Sequence, residues 1–374
     1  MSTETPKQVP KEPSRNPVFE AMGLPRFKLP GRRMTIFLSV VFGISGAIYY
    51  DRKYRRENRE KWKDRVAYMA KETLDWDQLP RKVTVFISPP PGDHMDISME
   101  HFRQYIKPIL TSAAVDWELV ENTRKNEIRY HVAEDIRRVR RGEPDPAKEN
   151  KLPFVKFDEV GGVICIGRGA YKEYLRGLNE GWLGPATPPA FIETHDPAAL
   201  PSPAEPVVED PSSSETAAES PAEAEPKTEE PKVEKKPVPP QYILPEDYSN
   251  AATTPELARI TEFQPIMYIP HPHILGFRHT PIRTYRFFTR RNLADRVGAY
   301  TAAVVLNQTR PFISRFDCEA GIEEESEWPN KWKEESRENN SVWTQDVVVD
   351  ERIAERLRIY KLPSEYKNEA NDSD

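Results

Sequence analysis

The 374-residue chain has only two cysteines, 16 glycines, a single long uncharged apolar run and no excess of basic residues. Each shortage excludes a class of protein. Two cysteines cannot staple a secreted disulfide fold, and Cys165 and Cys318 share no C-x-x-C spacing that would support redox chemistry. One apolar run in a chain of mean hydropathy −0.72 is too little for a multispan transporter or channel. With 54 Lys plus Arg against 60 Asp plus Glu, no global basic excess points to nucleic acid. Proline is abundant instead, at 37 residues or about twice its usual share. Eleven of the prolines fall within residues 197–240, a segment with no glycine or aromatic residue. Its ten acidic residues and four lysines account for the whole net charge of −6, so the remainder of the chain is balanced. Such a composition cannot bury enough apolar surface to offset chain entropy, and a disordered linker is expected there.

The apolar run covers residues 34–50, MTIFLSVVFGISGAIYY, closed by Arg32 and Arg33 on one side and by Asp51, Arg52 and Lys53 on the other. Seventeen residues at about 1.5 Å each span about 26 Å, enough for a transmembrane anchor. Dense charge at both ends argues against a buried core helix. Thirty-three residues precede the run and no small-residue cleavage pattern follows it, so a signal peptide is not expected. Glu4, Glu12 and three prolines in the first fifteen residues also argue against an amphipathic presequence, which leaves any targeting signal internal. Four basic residues precede the run and eight follow between Arg52 and Arg65, so the positive-inside count keeps the carboxyl side on the cis face. Ser39, Gly43, Gly46 and Ala47 form a small-residue stripe suited to membrane helix packing. Residues 54–73 read as a basic helix with Trp62, Val66 and Met69 on one face. It fits either a helix along an anionic membrane surface or a solvated stalk.

Residues 80–196 read as an α/β domain. Val83, Val85 and Ile87 begin a β-branched strand that runs into SPPPGD, followed by a helix over residues 98–114, a strand over Asp116–Glu121, a loop at Thr123 and a charged helix over residues 128–141. A strand over residues 162–166 then enters Gly167-Arg168-Gly169 and a helix over residues 170–178. This order is that of a parallel sheet, whose sites lie at the carboxyl ends of the strands. Residues 241–362 read as a β-rich domain with helices. Strands are expected over residues 265–270, 274–277, 284–288, 311–316 and 347–349, helices over residues 293–304 and 350–360, and an acidic loop near residues 323–327. No internal repeat is visible.

The segment from Gly167 to Leu178 resembles a degenerate form of the diacylglycerol and sphingosine kinase signature. Gly167, Gly169, Glu173, Gly177 and Leu178 match it, whereas Ile166, Arg168 and Ala170 replace its first Gly, its Asp and its Thr. Ser88-Pro89 with Gly92 is similar to that family's phosphate loop without its Asn, and Thr123 follows the second strand as in the family. Phosphoryl transfer needs an acidic group to organise a metal, and Arg168 reverses that charge, so a dead kinase-like fold is expected. In His271-Pro272-His273 the proline is expected to splay the two rings, giving a structural turn, and no metal or cofactor is assigned. Asn307-Gln308-Thr309 and Asn339-Asn340-Ser341 match the glycosylation sequon, which has meaning only in the secretory pathway.

A second resemblance covers most of the chain outside the linker and the first fifteen residues. The blocks Asn16-Pro17, Met22-Gly23-Leu24-Pro25-Arg26-Phe27, Tyr50-Asp51-Arg52, Pro89-Pro90-Pro91-Gly92-Asp93, Tyr105-Ile106-Lys107-Pro108, Asp116-Trp117, Gly167-Arg168-Gly169-Ala170-Tyr171 and Tyr285-Arg286-Phe287-Phe288 resemble the fungal Tim fifty-four family, a subunit of the mitochondrial inner-membrane carrier translocase. The resemblance implies a matrix-side tail (1–33), a transmembrane helix (34–50), a basic juxtamembrane helix (51–79) and the bulk of the chain in the intermembrane space, ending in a disordered tail (363–374). It also implies a non-catalytic scaffold whose partners are the channel-forming subunit, a small intermembrane-space chaperone complex and inner-membrane lipid. The positive-inside count opposes this orientation, and the family topology is preferred to it. The alternatives are an anchored, active acylglycerol-type lipid kinase and a membrane-tethered lipid-binding module.

Overall fold

The computed structural model describes residues 31–73, 81–143, 161–187, 238–251, 260, 262–339, 341–364 and 366. The tail over residues 1–30, the linker up to residue 237, Asn340 and residues 367–374 lie outside them. The chain divides into two units, Met1–Tyr54 and Arg55–Asp374.

In the first unit, helix α1 (Arg32–Val66, continuing into the second unit) carries the apolar run. Met34, Phe37, Val40, Phe42 and Ile44 are all exposed, and the most apolar eighteen-residue window is only 6% buried. Its apolar surface is therefore not covered by a protein core. By length and composition it is the one helix among the described residues able to cross a membrane.

The second unit is a three-layer α/β sandwich. Strand β1 (Lys82–Ile87) leads to helix α2 (Met95–His101), which runs through a widened π turn at Phe102–Ile106 into α3 (Lys107–Ser112), with Pro108 in its first turn. Strand β2 (Asp116–Glu121), α4 (Glu127–Arg141), β3 (Val163–Ile166) and α5 (Gly167–Leu183) follow. Beyond the linker come β4 (Ile266–Ile269), α6 (Thr280–Phe288), α7 (Arg290–Leu306), β5 (Thr309–Pro311), α8 (Ser314–Asp317), α9 (Ile322–Glu327), α10 (Asn330–Glu338), α11 (Glu351–Ala354) and β6 (Arg358–Tyr360). The strands form one six-stranded sheet in the order β2-β1-β3-β4-β6-β5. Every pairing is parallel except β5 with β6.

Side-chain alternation along the strands feeds two cores. Val83, Val85, Ile87, Ile164 and Met267 pack with Phe102, Ile109, Leu110, Val297 and Ala302, joined by Trp62 and Val66 from the end of α1. Phe86, Val163, Cys165 and Tyr268 pack on the other face with Ile128, Val132, Tyr174, Leu175 and Trp182. On this second face α4 and α5 approach closely, because a Cβ on Gly177 or Gly181 would lie 2.8 Å from the backbone oxygen of Arg129 or Ala133.

Three expectations change. The region after the linker is not a β-rich domain of its own, since β4 pairs directly with β3 (Ile164 opposite Met267) and extends the same sheet. Residues 284–288 are helical, 347–349 form no strand, the acidic loop is α9, and the last expected helix shrinks to α11 before β6. Pro281 at the start of α6 favours a helix, and both edges of β4, the strand that precedes it in the chain, are already taken by β3 and β6. Finally, the apolar face of residues 54–73 is directed into protein, with Trp62 and Val66 fully buried, so that face is not available to a membrane surface.

Candidate functional site

In the sheet order, β2 lies on one side of β1 and β3 on the other, so the direction of winding reverses beside β1. In open α/β sheets a ligand crevice forms at such a reversal, outside the carboxyl ends of the strands. Here that end collects the loop after β1 (Ser88 to Asp93), Thr123 after β2, Gly167 after β3 and His271 after β4. The positions singled out in the sequence therefore do share one end of the sheet, but the chain's own side chains fill part of the crevice.

Gly167 turns β3 directly into α5 with φ +82°, and α5 thus starts three residues earlier than the sequence implies. A helix start of this kind presents free backbone N–H groups suited to phosphate. The acceptor found there is the Glu324 carboxylate from α9. It accepts from Arg168 N at 2.7 Å, His271 N at 2.6 Å and Tyr268 OH at 2.5 Å. Burial raises the Glu324 pKa, against the pull of these three donors.

The Arg168 side chain is also buried. Its Nε donates to Glu325 Oε1 at 2.8 Å and its Nη1 to the carbonyls of Cys318 and Ala320 at 2.6 and 2.9 Å. Lys172 Nζ meets the same Glu325 oxygen at 3.0 Å. Burial acts to raise the Glu325 pKa, but the hydrogen bonds from Arg168 and Lys172 prevail and lower it. Arg168 thus ties α5 to the segment carrying α8 and α9.

Gly169 lies under an indole, since a Cβ there would come within 2.4 Å of the Trp343 ring. Trp343 Nε1 donates to Glu173, which also accepts from Asn126 N at 2.7 Å and Ile128 N at 3.0 Å. Glu173, the acidic residue that matches the kinase signature, is therefore a cap on α4 and a clamp on Trp343. Burial raises its pKa to about 7. Trp328 and Trp332 complete an aromatic cluster with Trp343, with ring centroids 5.4 to 5.7 Å apart.

What remains open is a groove of about 380 Å³ lined by residues 89–94, Thr123, Arg124, Lys125, Trp332, Glu335 and Trp343. Pro89, Gly92 and Thr123 face this groove, whereas Gly167, Arg168 and Gly169 are sealed away from it. Ser88 is buried, and its carbonyl accepts from Ser98 Oγ at 2.8 Å. Lys125 in the groove wall bonds Ser336 Oγ at 3.1 Å and lies 4.6 Å above the Trp332 ring.

Pro272 does not splay its neighbours. The His271 and His273 rings are nearly parallel, at 16° and 6.3 Å, and the His101 ring lies 4.7 Å from His271. Burial lowers the His101 pKa to about 4 and lowers that of His271 further from its usual range, so both are neutral at physiological pH. Among the described residues no His, Cys, Asp and Glu group is arranged to hold a metal. Burial pushes the Cys165 thiol pKa up, making a poor nucleophile. Sequence reasoning did not find Glu324, Glu325, Trp343 or His101. The first three lie about 150 residues or more from the loop they close, and no local pattern marks them. On α1, Ser39, Gly43, Gly46 and Ala47 are exposed, with nothing within 4 Å of either glycine's Cβ position.

A largely parallel α/β sheet whose carboxyl-end crevice is partly filled by its own acidic and aromatic side chains, with one N-terminal helix long and apolar enough to cross a membrane, defines a mixed α/β protein with a candidate membrane anchor. The family described as "Inner membrane protein import complex subunit Tim54" matches residues 16–360, and the chain belongs to that family. It is 38% identical over 94% of its length to the mitochondrial import inner membrane translocase subunit TIM54 of Candida albicans, covering 98% of that protein. The Aspergillus oryzae protein of the same name is 39% identical, with 91% of this chain and 86% of that one covered. The Saccharomyces cerevisiae protein is 30% identical over 99% and 100%.

Proposed function

We propose that this chain is a non-catalytic subunit of the mitochondrial inner-membrane carrier translocase. In this reading α1 anchors it in the inner membrane and the sheet domain stands in the intermembrane space, where it supports the channel-forming subunit and docks the small chaperones that deliver multispanning carriers. Membership of a family whose relatives are named as import translocase subunits supports the setting. The observation that carries the non-catalytic part is the closure of the crevice. Glu324 holds the N-terminus of α5 where a phosphate would bind, Trp343 covers Gly169, and Arg168 presents a cation where phosphoryl transfer needs an acid.

The test is affinity purification of the full chain in mild detergent, followed by mass spectrometry and an assay with ATP and mono- or diacylglycerol. The proposal expects a co-purifying channel protein and no phosphate transfer. Transfer that is lost on mutating Gly167 or Gly169 would make the chain a lipid kinase, and absence of any channel protein would make it a lipid-binding module. For orientation, protease added after rupture of the outer membrane should degrade the sheet domain, and protection would reverse the topology.

A further inference from the structure

Within the second unit, helix α6 carries a face that is both apolar and basic. None of its nine residues is buried. Phe277, in the turn before it, is 93% exposed, Tyr285 67% and Ile282 45%. Phe277 is nonetheless held in place, since Thr280 Oγ1 donates to its carbonyl at 2.6 Å. Five arginines and no acidic residue lie between Phe277 and Arg291. Arg286 is paired with Glu327, and Arg291 donates to the Phe288 carbonyl at 3.0 Å. Arg278, Arg283 and Arg290 are exposed, with Arg290 lying 5.1 Å over the Phe287 ring.

A second face, apolar and acidic, adjoins the first, because the two-pronged pair of Arg286 with Glu327 sets α9 beside α6. Residues 316–327, from α8 through α9, hold six acidic residues and no Lys or Arg. Four of the six are engaged inside the fold: Asp317 with Arg310, Glu324 with Arg168 N, Glu325 with Arg168 and Lys172, and Glu327 with Arg286. Glu319 and Glu323 are exposed, and so are Phe316 at 65% and Ile322 at 53%. Arg315, at the margin of this face, lies 5.9 Å over the Phe316 ring.

Single exposed apolar residues are ordinary, but a cluster of them marks a contact surface. The two faces are complementary in charge, yet side by side in one molecule they cannot cover each other. A two-fold axis resolves this, since it sets the basic half of each copy on the acidic half of the other. The areas are of the right size. At about 150–250 Å² per aromatic side chain, the exposed parts of Phe277, Tyr285 and Phe316 alone offer about 450 Å² on each copy. A stable interface buries about 800 Å² per partner.

We propose that this surface is where two copies of the chain pair about a two-fold axis, with Phe277, Ile282, Tyr285, Arg278 and Arg283 of one copy against Phe316, Ile322, Glu319 and Glu323 of the other. The inference concerns the second unit alone and stands apart from the translocase reading.

The experiment is analytical ultracentrifugation and native mass spectrometry of the full chain in mild detergent. The parent should contain two copies. Arg278→Glu with Arg283→Glu makes both halves acidic, and Glu319→Arg with Glu323→Arg makes both basic. Each variant alone should dimerise at least about tenfold more weakly, because like charges then meet across the axis. Mixed together, the two variants should form a dimer with one copy of each, which also shows that both are folded. A monomeric parent, variants that pair as the parent does, or a mixture that stays monomeric would each overturn the proposal. Gly43→Leu with Ala47→Leu should leave the dimer intact. Loss of pairing in that variant alone would assign the contact to α1 and overturn the α6–α9 surface.

Discussion

Arg168 changes what its loop can do with a single charge. Its guanidinium reaches across to two carbonyls and Glu325, and the loop becomes a structural joint. Trp343 closes the same joint from above. Trp343→Ala should cost about 3–5 kcal/mol, the usual range for emptying a large buried aromatic site. Urea unfolding measures it, and a loss below about 1 kcal/mol would mean that the indole does not seal Gly169.

His101 gives the residue scale a pH dependence. Its folded pKa of about 4 lies below the ordinary 6.5 because burial disfavours the imidazolium. The unfolded chain therefore binds the extra proton first, and stability falls as pH drops from about 6.5 to 4. The loss is about 3 kcal/mol from this one group. Glu173 acts in the opposite sense, since its folded pKa of about 7 makes stability fall as pH rises from about 4.5 to 7. The two slopes overlap, so comparison of variant with parent isolates each. His101→Gln should flatten the acid side of a Tm-against-pH curve, and an unchanged acid slope would remove His101 as its source.

At the scale of elements, glycines that look alike in sequence do different work. Gly177 and Gly181 lie where α5 meets the α4 backbone, and Gly181→Ala puts a methyl 2.8 Å from the Ala133 oxygen. Such overpacking should destabilise the fold by about 1–3 kcal/mol, read as a lower urea midpoint. Gly43 in α1 has nothing within 4 Å, so Gly43→Leu with Ala47→Leu should leave the unfolding of the sheet domain unchanged. If the small-residue stripe packs against the channel subunit, the same double variant lowers co-purification of that subunit. Wild-type yield would make α1 a tether only, with the contact in the sheet domain.

At the scale of the whole molecule, the sheet crosses the linker. β3 is buried along its full length between β1 and β4, and β4 comes from the far side of residues 197–240. A chain ending at residue 196 would expose the edge of β3 with its apolar side chains and should aggregate. A chain lacking only residues 197–237 keeps every strand pairing and should unfold in one transition, as followed by calorimetry. Two separated transitions would mean that the halves fold independently.

The local patterns of the sequence were enough for the apolar helix, β1, β2, β3 and α4, because each carries a long or strictly alternating apolar signal within a few residues. They were also enough for Gly167 as a turn. They were not enough for β5 and β6, whose three residues each are strands only because a neighbour pairs with them, nor for α6, where aromatic alternation reads as a strand but Pro281 starts a helix and β4 before it is already paired on both edges. The closure of the crevice was decided by tertiary structure alone. Glu324 and Trp343 reach Arg168 and Gly169 across some 150 and 170 residues of chain, and a contact made by folding at that separation leaves no spacing or period in the sequence.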